Sequence, residues 1–400
     1  MKDIILKRFL KYVSFDTQSS DSTNTHPSTE KQKELAKYLV NELKELGIDN
    51  AFMDDNSYVY AKLDGIKGSK TIGLVAHLDT ALESSGVVKP NVIEKYDGSP
   101  IELKNGNTID PVKFPKLTEQ VGQTLVTTDG TSLLGADDKA GIAIIMTLVE
   151  KLIKENIPHP NIFVCFTPDE EIGEGTYLFN YDYFKVDFAY TLDGGNIDII
   201  NYENFNAATA FLKFHGKSIH PGSAKGKMVN SQLLAMEFNA LLPNIRPDNT
   251  EGYEGFNHIT SITGSVEETL AEYIIRNHDM NLFKKQMQEF IDIKDALNTK
   301  YGYNAVECTI KESYLNMKEK VLEKPYVLEY ANCAIKQIGL TPKYIPIRGG
   351  TDGARLSFGG IVTPNLGTGS YNHHGPLEYA SIDEMNKMVD ILIILLNLIK

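Results

Sequence analysis

The stretch Thr71-Ile72-Gly73-Leu74-Val75-Ala76-His77-Leu78-Asp79-Thr80 decides how the chain is read. A short apolar run stops at a histidine, with an aspartate two residues on. Its length and its polar borders, Lys70 before and Asp79-Thr80 after, predict a buried strand. In open α/β sheets, ligand sites lie just beyond the carboxyl ends of the strands. His77 and Asp79 would stand there.

Two more apolar runs end in the same way. Asn161-Ile162-Phe163-Val164-Cys165-Phe166-Thr167 leads into Pro168-Asp169-Glu170-Glu171, and Phe188-Ala189-Tyr190-Thr191-Leu192 leads into Asp193-Gly194-Gly195. Between the first and second runs, Thr131-Ser132-Leu133-Leu134-Gly135-Ala136-Asp137-Asp138 opens an apolar helix that reaches about Asn156. Strands alternating with helices predict an α/β fold with a mostly parallel sheet flanked by helices. Upstream, Thr29-Glu30-Lys31-Gln32 fits a capping box for a helix with leucines at 35, 39 and 43. Residues 84–130 are rich in Gly, Pro, Asn and Asp with short β-like pieces, a length of irregular chain that often wraps a site.

The pattern changes near residue 206. Strand-like, helix-like, two strand-like, helix-like and strand-like segments follow in turn, ending near Tyr314. That β-α-β-β-α-β order predicts a ferredoxin-like α+β domain. The expected organisation is therefore a catalytic domain of residues 1–205 and 318–400, with residues 206–317 inserted as a lid or substrate-binding domain. In the resumed part, Ser381-Ile382-Asp383-Glu384 fits a capping box for the last helix.

Composition narrows the class. The chain has 400 residues, which argues for more than one domain. Its 40 basic and 53 acidic residues give a net charge of −13, unlike the basic face of a nucleic-acid binder. The three cysteines, Cys165, Cys308 and Cys333, are far apart and read as buried free thiols in a reducing compartment. Charges break up the N-terminal segment, so no export signal is evident. The apolar run at 391–396 falls short of the ~20 residues of a membrane span. No membrane and no nucleic acid are expected as partners, and the expected compartment is the cytoplasm.

The groups gathered at strand ends are His77, Asp79, Asp137, Glu170, Glu171, Asp193 and His374. Imidazoles and carboxylates are the ligands of open catalytic zinc sites. His77, Asp137, Glu171, Asp193 and His374 can serve two zinc ions if Asp137 bridges them. Asp79 is then free to accept from the ring N–H of His77, and Glu170 to carry a proton from water to a leaving amine. Taken singly, these residues have plain readings: a satisfied structural histidine, a solvated glutamate pair, a helix cap. Taken together they do not, because clustered carboxylates without cations are strongly disfavoured. HExxH and GxSxG motifs are absent, and Gly222 to Met228 resembles a phosphate-binding loop only loosely.

Seven stretches, in order, carry a resemblance: residues 77–80 (HLDT), 133–141 (LLGADDKAG), 166–175 (FTPDEEIGEG), 191–195 (TLDGG), 220–230 (HPGSAKGKMVN), 346–358 (PIRGGTDGARLSF) and 371–379 (YNHHGPLEY). Over nearly the whole chain they are similar to the peptidase T family, a branch of the dinuclear zinc exopeptidases and deacylases. The 220–230 and 346–358 stretches point to that branch; the others mark only the larger group.

The resemblance implies an enzyme that removes the N-terminal residue of tripeptides with two zinc ions per chain. It implies that His77 and Asp193 hold one zinc, that Glu171 and His374 hold the other, and that Asp137 bridges them. Glu170 is implied as general base and Asp79 as the carboxylate orienting His77. A cis peptide bond is implied between Asp137 and Asp138. His220 is implied as an oxyanion stabiliser, Arg348 and Arg276 as binders of the substrate carboxylate, and Asn230 as a contact to the substrate backbone. Two points depart from the pattern or leave a choice. Asn277 follows Arg276 where an acidic residue is expected, and His373 stands beside His374, which is chosen because it directly precedes Gly375. A related dipeptidase or N-acyl amino acid deacylase would share the ligand set, a silent scaffold would not need it, and a homodimer is compatible with either enzyme.

Overall fold

The computed structural model describes residues 2–84 and 86–399. The chain divides into two compact units. One comprises Met1–Tyr202, Glu319–Ile345 and Thr351–Lys400; the other comprises Glu203–Lys318 and Pro346–Gly350.

The first unit is built on an eight-stranded sheet. Its centre is parallel: Thr71–His77 lies between Asn161–Thr167 on one side and Phe188–Leu192 on the other. Asn365–Leu366 continues the parallel set beyond Phe188–Leu192. On the other side Val59–Leu63 pairs antiparallel with Asn161–Thr167, and the two-residue strand Phe52–Met53 forms the edge beyond it. The chain passes from Thr71–His77 through the helix Ala136–Lys154 to one neighbour, then crosses to the other neighbour. The central strand is thus a topological switch point, where such sheets open a crevice at the strand carboxyl ends. Burial explains the sequence pattern: Thr71–His77 and Asn161–Thr167 are buried from their second residue on, and Phe188–Leu192 is buried throughout. Strands covered on both faces read as continuous apolar runs.

The irregular segment at 84–130 has a structural purpose. Its strands Asn91–Ile93 and Leu125–Thr127 join Tyr379–Ser381 and Ser370–Tyr371 in a second, antiparallel sheet. That pairing fixes both ends of the 371–379 loop. The last helix, Ile382–Leu398, is capped by Ser381, whose side chain accepts from the Glu384 N–H. The earlier capping box does not form. The helix Gln32–Glu45 starts later, because the Thr29 hydroxyl donates to the Gln18 carbonyl, 2.6 Å away, and the Gln32 carboxamide binds Asp169.

The second unit has four antiparallel strands in the order Phe256–Gly264, Glu268–Asn277, Asn206–His215, Val306–Tyr314. The helices Ser231–Leu241 and Met280–Tyr301 cover one face, around a core that includes Phe214, Phe238, Tyr273 and Phe290. This is the ferredoxin-like arrangement expected from the order of elements. All three cysteines are free, but only Cys165 is buried; Cys308 is half-buried and Cys333 exposed, so the expectation of three buried thiols fails for those two. No described helix is long and apolar enough to cross a membrane.

Candidate metal centre

His77 ends the central strand in register with Thr167 of its neighbour, and the Leu78 N–H donates to the Thr167 carbonyl, 2.7 Å away. The histidine is buried and its two ring nitrogens are differently employed. Nδ1 stands 3.1 Å from the Asp79 carbonyl oxygen and 3.3 Å from Asp79 Oδ1. Nε2 stands 2.9 Å from Asp137 Oδ1 and 3.7 Å from Asp193 Oδ1. Asp79, itself fully buried, also accepts the N–H groups of Glu170 and Glu171, at 3.0 and 3.1 Å. One carboxylate therefore orients the histidine and holds the turn that carries both glutamates.

That turn contains Asp169 in the left-handed region, with φ of 57°. A non-glycine residue there is strained and persists where its surroundings hold it. They do: the Asp169 carboxylate accepts from the Ser28 N–H and from Gln32 Nε2, and the Asp169 N–H donates to Gln32 Oε1.

Asp137 faces both ways. While Oδ1 meets His77, Oδ2 lies 3.3 Å from His374 Nε2 and 3.4 Å from His373 Nδ1. His374 Nε2 also lies 3.0 Å from Glu171 Oε2. His373 uses its other nitrogen on Ser370 Oγ, at 2.9 Å. The Asp137–Asp138 peptide bond is cis, as the resemblance implied. Asp138 turns its carboxylate to the His77 and Gly141 N–H groups. Gly141 is obligatory in this packing, since a Cβ would sit 2.0 Å from the Leu192 carbonyl oxygen. Asp193 is gripped through its backbone by Asn365, whose Oδ1 accepts the Asp193 N–H at 3.1 Å and whose Nδ2 donates to the Asp193 carbonyl at 2.7 Å.

The charges in this cluster are not balanced by protein partners. Burial, then the Asp193 charge, pushes Glu170 well above the usual carboxylate range. Burial and the Asp137 charge push Glu171 up to about 7 and Asp193 up to about 6. Burial also acts against Asp137, but His373, His374 and His77 hold it low. Hydrogen bonds that His374 donates to the Asp137 and Glu171 carboxylates raise it to about 11. Glu171 Oε1 is buried with no hydrogen-bond partner. Ligand atoms of His77, Asp137 and Glu171 lie within 4.8 Å of one another, and so do those of His77, Glu170 and Asp193. An orphaned carboxylate oxygen inside a ring of imidazoles and carboxylates is the donor set that divalent cations take.

The remaining four predicted residues belong to the second unit. His220 is exposed and its Nδ1 accepts from the Gly222 N–H at 3.2 Å. Asn230 caps the helix Ser231–Leu241 by accepting from the Gln232 N–H at 2.9 Å. Arg276 donates to the Ala208 and Ile275 carbonyls and lies over the Tyr314 ring. Arg348 donates to the Gly252 and Glu254 carbonyls and to both oxygens of Thr250.

Three residues at the cluster escaped the sequence reading: Asp138, Asn365 and Glu378. Asn365 lies inside the short Val362-Thr363-Pro364-Asn365-Leu366 segment, where nothing local marks it as a partner of Asp193. Glu378 lay inside the quoted 371–379 stretch but nothing local marks its partners, the N–H groups of Leu134, Gly135 and Asp137.

Comparison with known proteins places this chain in a family. Residues 127–397 match the model of peptidase family M20/M25/M40. A protein named peptidase T from Clostridium perfringens is 51% identical over 399 residues, covering 98% of each chain. Another from Caldanaerobacter subterraneus is 49% identical over 396 residues, covering 97% of each. Among solved structures, the aminopeptidase PepT of Bacillus cereus matches with a TM-score of 0.78 at 22% identity, over 99% of this chain and 98% of that one. A tripeptidase of Staphylococcus aureus matches with a TM-score of 0.80 at 21% identity, over 100% and 98%. A dinuclear metal-binding peptidase of the M20 family from Bacillus subtilis shares the fold with a TM-score of 0.64 at 12% identity, over 99% of this chain and 98% of that one. With a family model spanning most of its length and half-identical relatives along nearly all of it, the chain belongs to peptidase family M20/M25/M40.

Proposed function

We propose that this peptidase is a dinuclear zinc aminopeptidase that releases the N-terminal residue of tripeptides. The observation that carries the proposal is Asp137, whose two oxygens address His77 and His374 separately. His77 and Asp193 are assigned to one cation, Glu171 and His374 to the other, and Asp137 to both. Tripeptides are assigned because the half-identical relatives are named peptidase T, the family that the 220–230 and 346–358 stretches of this chain resemble.

The chemistry then divides among the residues. Two divalent cations, when bound, polarise the scissile carbonyl and make the attacking water more acidic. Glu170 accepts a proton from that water as its oxygen bonds to the carbonyl carbon, and delivers the proton to the amine nitrogen as the C–N bond breaks. The placement of its carboxylate within 4.8 Å of ligand atoms of His77 and Asp193 supports that role. Asp79 keeps Nδ1 of His77 hydrogen-bonded, which leaves Nε2 as the ligand atom. His220 is assigned to the oxyanion, and Asn230 to the substrate backbone. Arg348 and Arg276 are assigned to the substrate carboxylate; each would have to release backbone carbonyls it now holds. The cytoplasm is the proposed compartment, in keeping with three free thiols.

One experiment tests the substrate and the metal together. Rates are measured on di-, tri- and tetrapeptides and on N-acyl amino acids, with metal content determined on the same sample. The expected result is fastest cleavage of tripeptides at the first bond, with about two zinc ions per chain. Preference for dipeptides or acyl amino acids would replace the substrate assignment by the related dipeptidase or deacylase. Less than about one cation per chain would remove the metal centre.

A further inference from the structure

Glu378 is 1% exposed and has no salt-bridge partner among the described residues. Its carboxylate accepts three backbone N–H groups, from Leu134 and Gly135 on Oε2, both at 2.8 Å, and from Asp137 on Oε1, at 3.0 Å. The first N–H groups of a helix have no partner within the helix. In Ala136–Lys154 one of them is met locally, since Asp137 and Asp138 depart from helical geometry and the Asp138 side chain accepts the Gly141 N–H; the N–H groups of Leu134, Gly135 and Asp137 therefore belong to the turn that precedes the regular helix and need a partner of their own. A glutamate 241 residues away in sequence from Asp137 satisfies all three N–H groups of that turn. The buried Lys139 ammonium, which donates to the Phe15 carbonyl at 2.9 Å, interacts with Glu378 electrostatically.

The position of Glu378 is fixed from the other direction too. It immediately precedes the strand Tyr379–Ser381, whose ladder to Leu125–Thr127 begins with Tyr379 opposite Thr127. A few residues before it comes His374. One carboxylate therefore ties the loop that carries His374 to the turn that carries Asp137.

We infer that Glu378 is a positioning residue for the cation site: by holding the 134–137 backbone at three points, it sets where Asp137 presents its two oxygens. This rests on the cation reading of Asp137 given above. The demand is for two acceptor oxygens. A glutamine has one, so whichever way its amide turns, an N–H group faces a backbone N–H. Partners that orient a metal ligand are typically worth about 10–100-fold in metal affinity.

The test titrates metal-free protein with zinc against a competing chromophoric chelator, alongside thermal unfolding of the same metal-free samples. Wild type is expected to bind both ions. Glu378→Gln is expected to bind at least one of them about 10–100-fold more weakly, and Glu378→Asp, which keeps two oxygens on a shorter stem, to fall between the two. If Glu378→Gln unfolds earlier yet binds zinc with wild-type affinity, Glu378 is only a brace for the 134–137 turn and the inference is overturned. Should Glu378→Gln fail to fold, Glu378→Asp decides alone: wild-type affinity there also overturns it. If wild-type protein binds no zinc, the cation reading itself falls and takes this inference with it; wild-type binding with unchanged variants removes the inference alone.

Discussion

The strand ends of the first unit and the turns of the second treat their polar side chains in opposite ways. At the strand ends, His77, Asp137, Glu171, Asp193 and His374 find mostly one another, and Glu171 Oε1 finds nothing. In the second unit, Asn230, Arg276 and Arg348 are each satisfied by nearby backbone. A polar group with a complete set of local partners accounts for itself. A buried group that meets only its own kind calls for something more, since burying unpaired charge is costly. The strand-end groups thus lack enough protein partners, whereas Asn230, Arg276 and Arg348 would have to exchange the partners they have for any ligand.

The largest expected break in the contrast is at Glu170. Its backbone is held by Asp79 and its side chain lies with His77 and Asp193. Glu170→Gln keeps shape and hydrogen bonding but cannot take a proton from water. Steady-state kinetics should give a kcat lower by about 10²–10⁴-fold, with zinc content by elemental analysis unchanged. Near-normal turnover would move the proton chemistry elsewhere, and loss of metal would make Glu170 a ligand.

A smaller effect is expected at Arg348, and of a different kind. Its two Nη groups reach acceptors on Thr250, Gly252 and Glu254, and the guanidinium lies over the rings of Phe205 and Phe256. Arg348→Ala should lower stability by about 1–3 kcal/mol, seen as a lower urea midpoint at unchanged slope. Its assignment to the substrate carboxylate predicts a raised KM for tripeptides in the same variant; an unchanged KM would leave the guanidinium its structural role alone.

The parts of this molecule that were legible in sequence are those written locally. An apolar run stopping at His77, another at the 168–171 turn and a third at Asp193 each announce a strand and its functional end within a few residues. The inserted unit was legible through the order of its elements. What was not legible depends on where the chain returns. Glu378 meets the 134–137 turn, Asn365 meets Asp193, and Gln32 meets Asp169, each across more than a hundred residues. Gln32 also misled: Thr29 and Gln32 fit a capping box, but both side chains had stronger claims elsewhere. The short β-like pieces at 84–130 lacked a visible role because the strands that complete their sheet lie beyond residue 370.

Asn230 is the finest discriminator, because its two readings predict small effects on different axes. As the N-cap of Ser231–Leu241, its Oδ1 satisfies the Gln232 N–H, a bond that Ala cannot make. Replacing such a cap by Ala costs about 1 kcal/mol. Asn230→Ala should therefore shift the unfolding midpoint by that amount, and Asn230→Asp, which is as good a cap, should restore it. If the cap is its whole role, kcat and KM stay at wild-type values in both variants. If Asn230 also contacts the substrate backbone through its amide N–H, Asn230→Asp would recover stability yet keep a raised KM, since a carboxylate cannot donate. Stability and KM moving apart between the two substitutions would show that one side chain serves both its helix and the substrate.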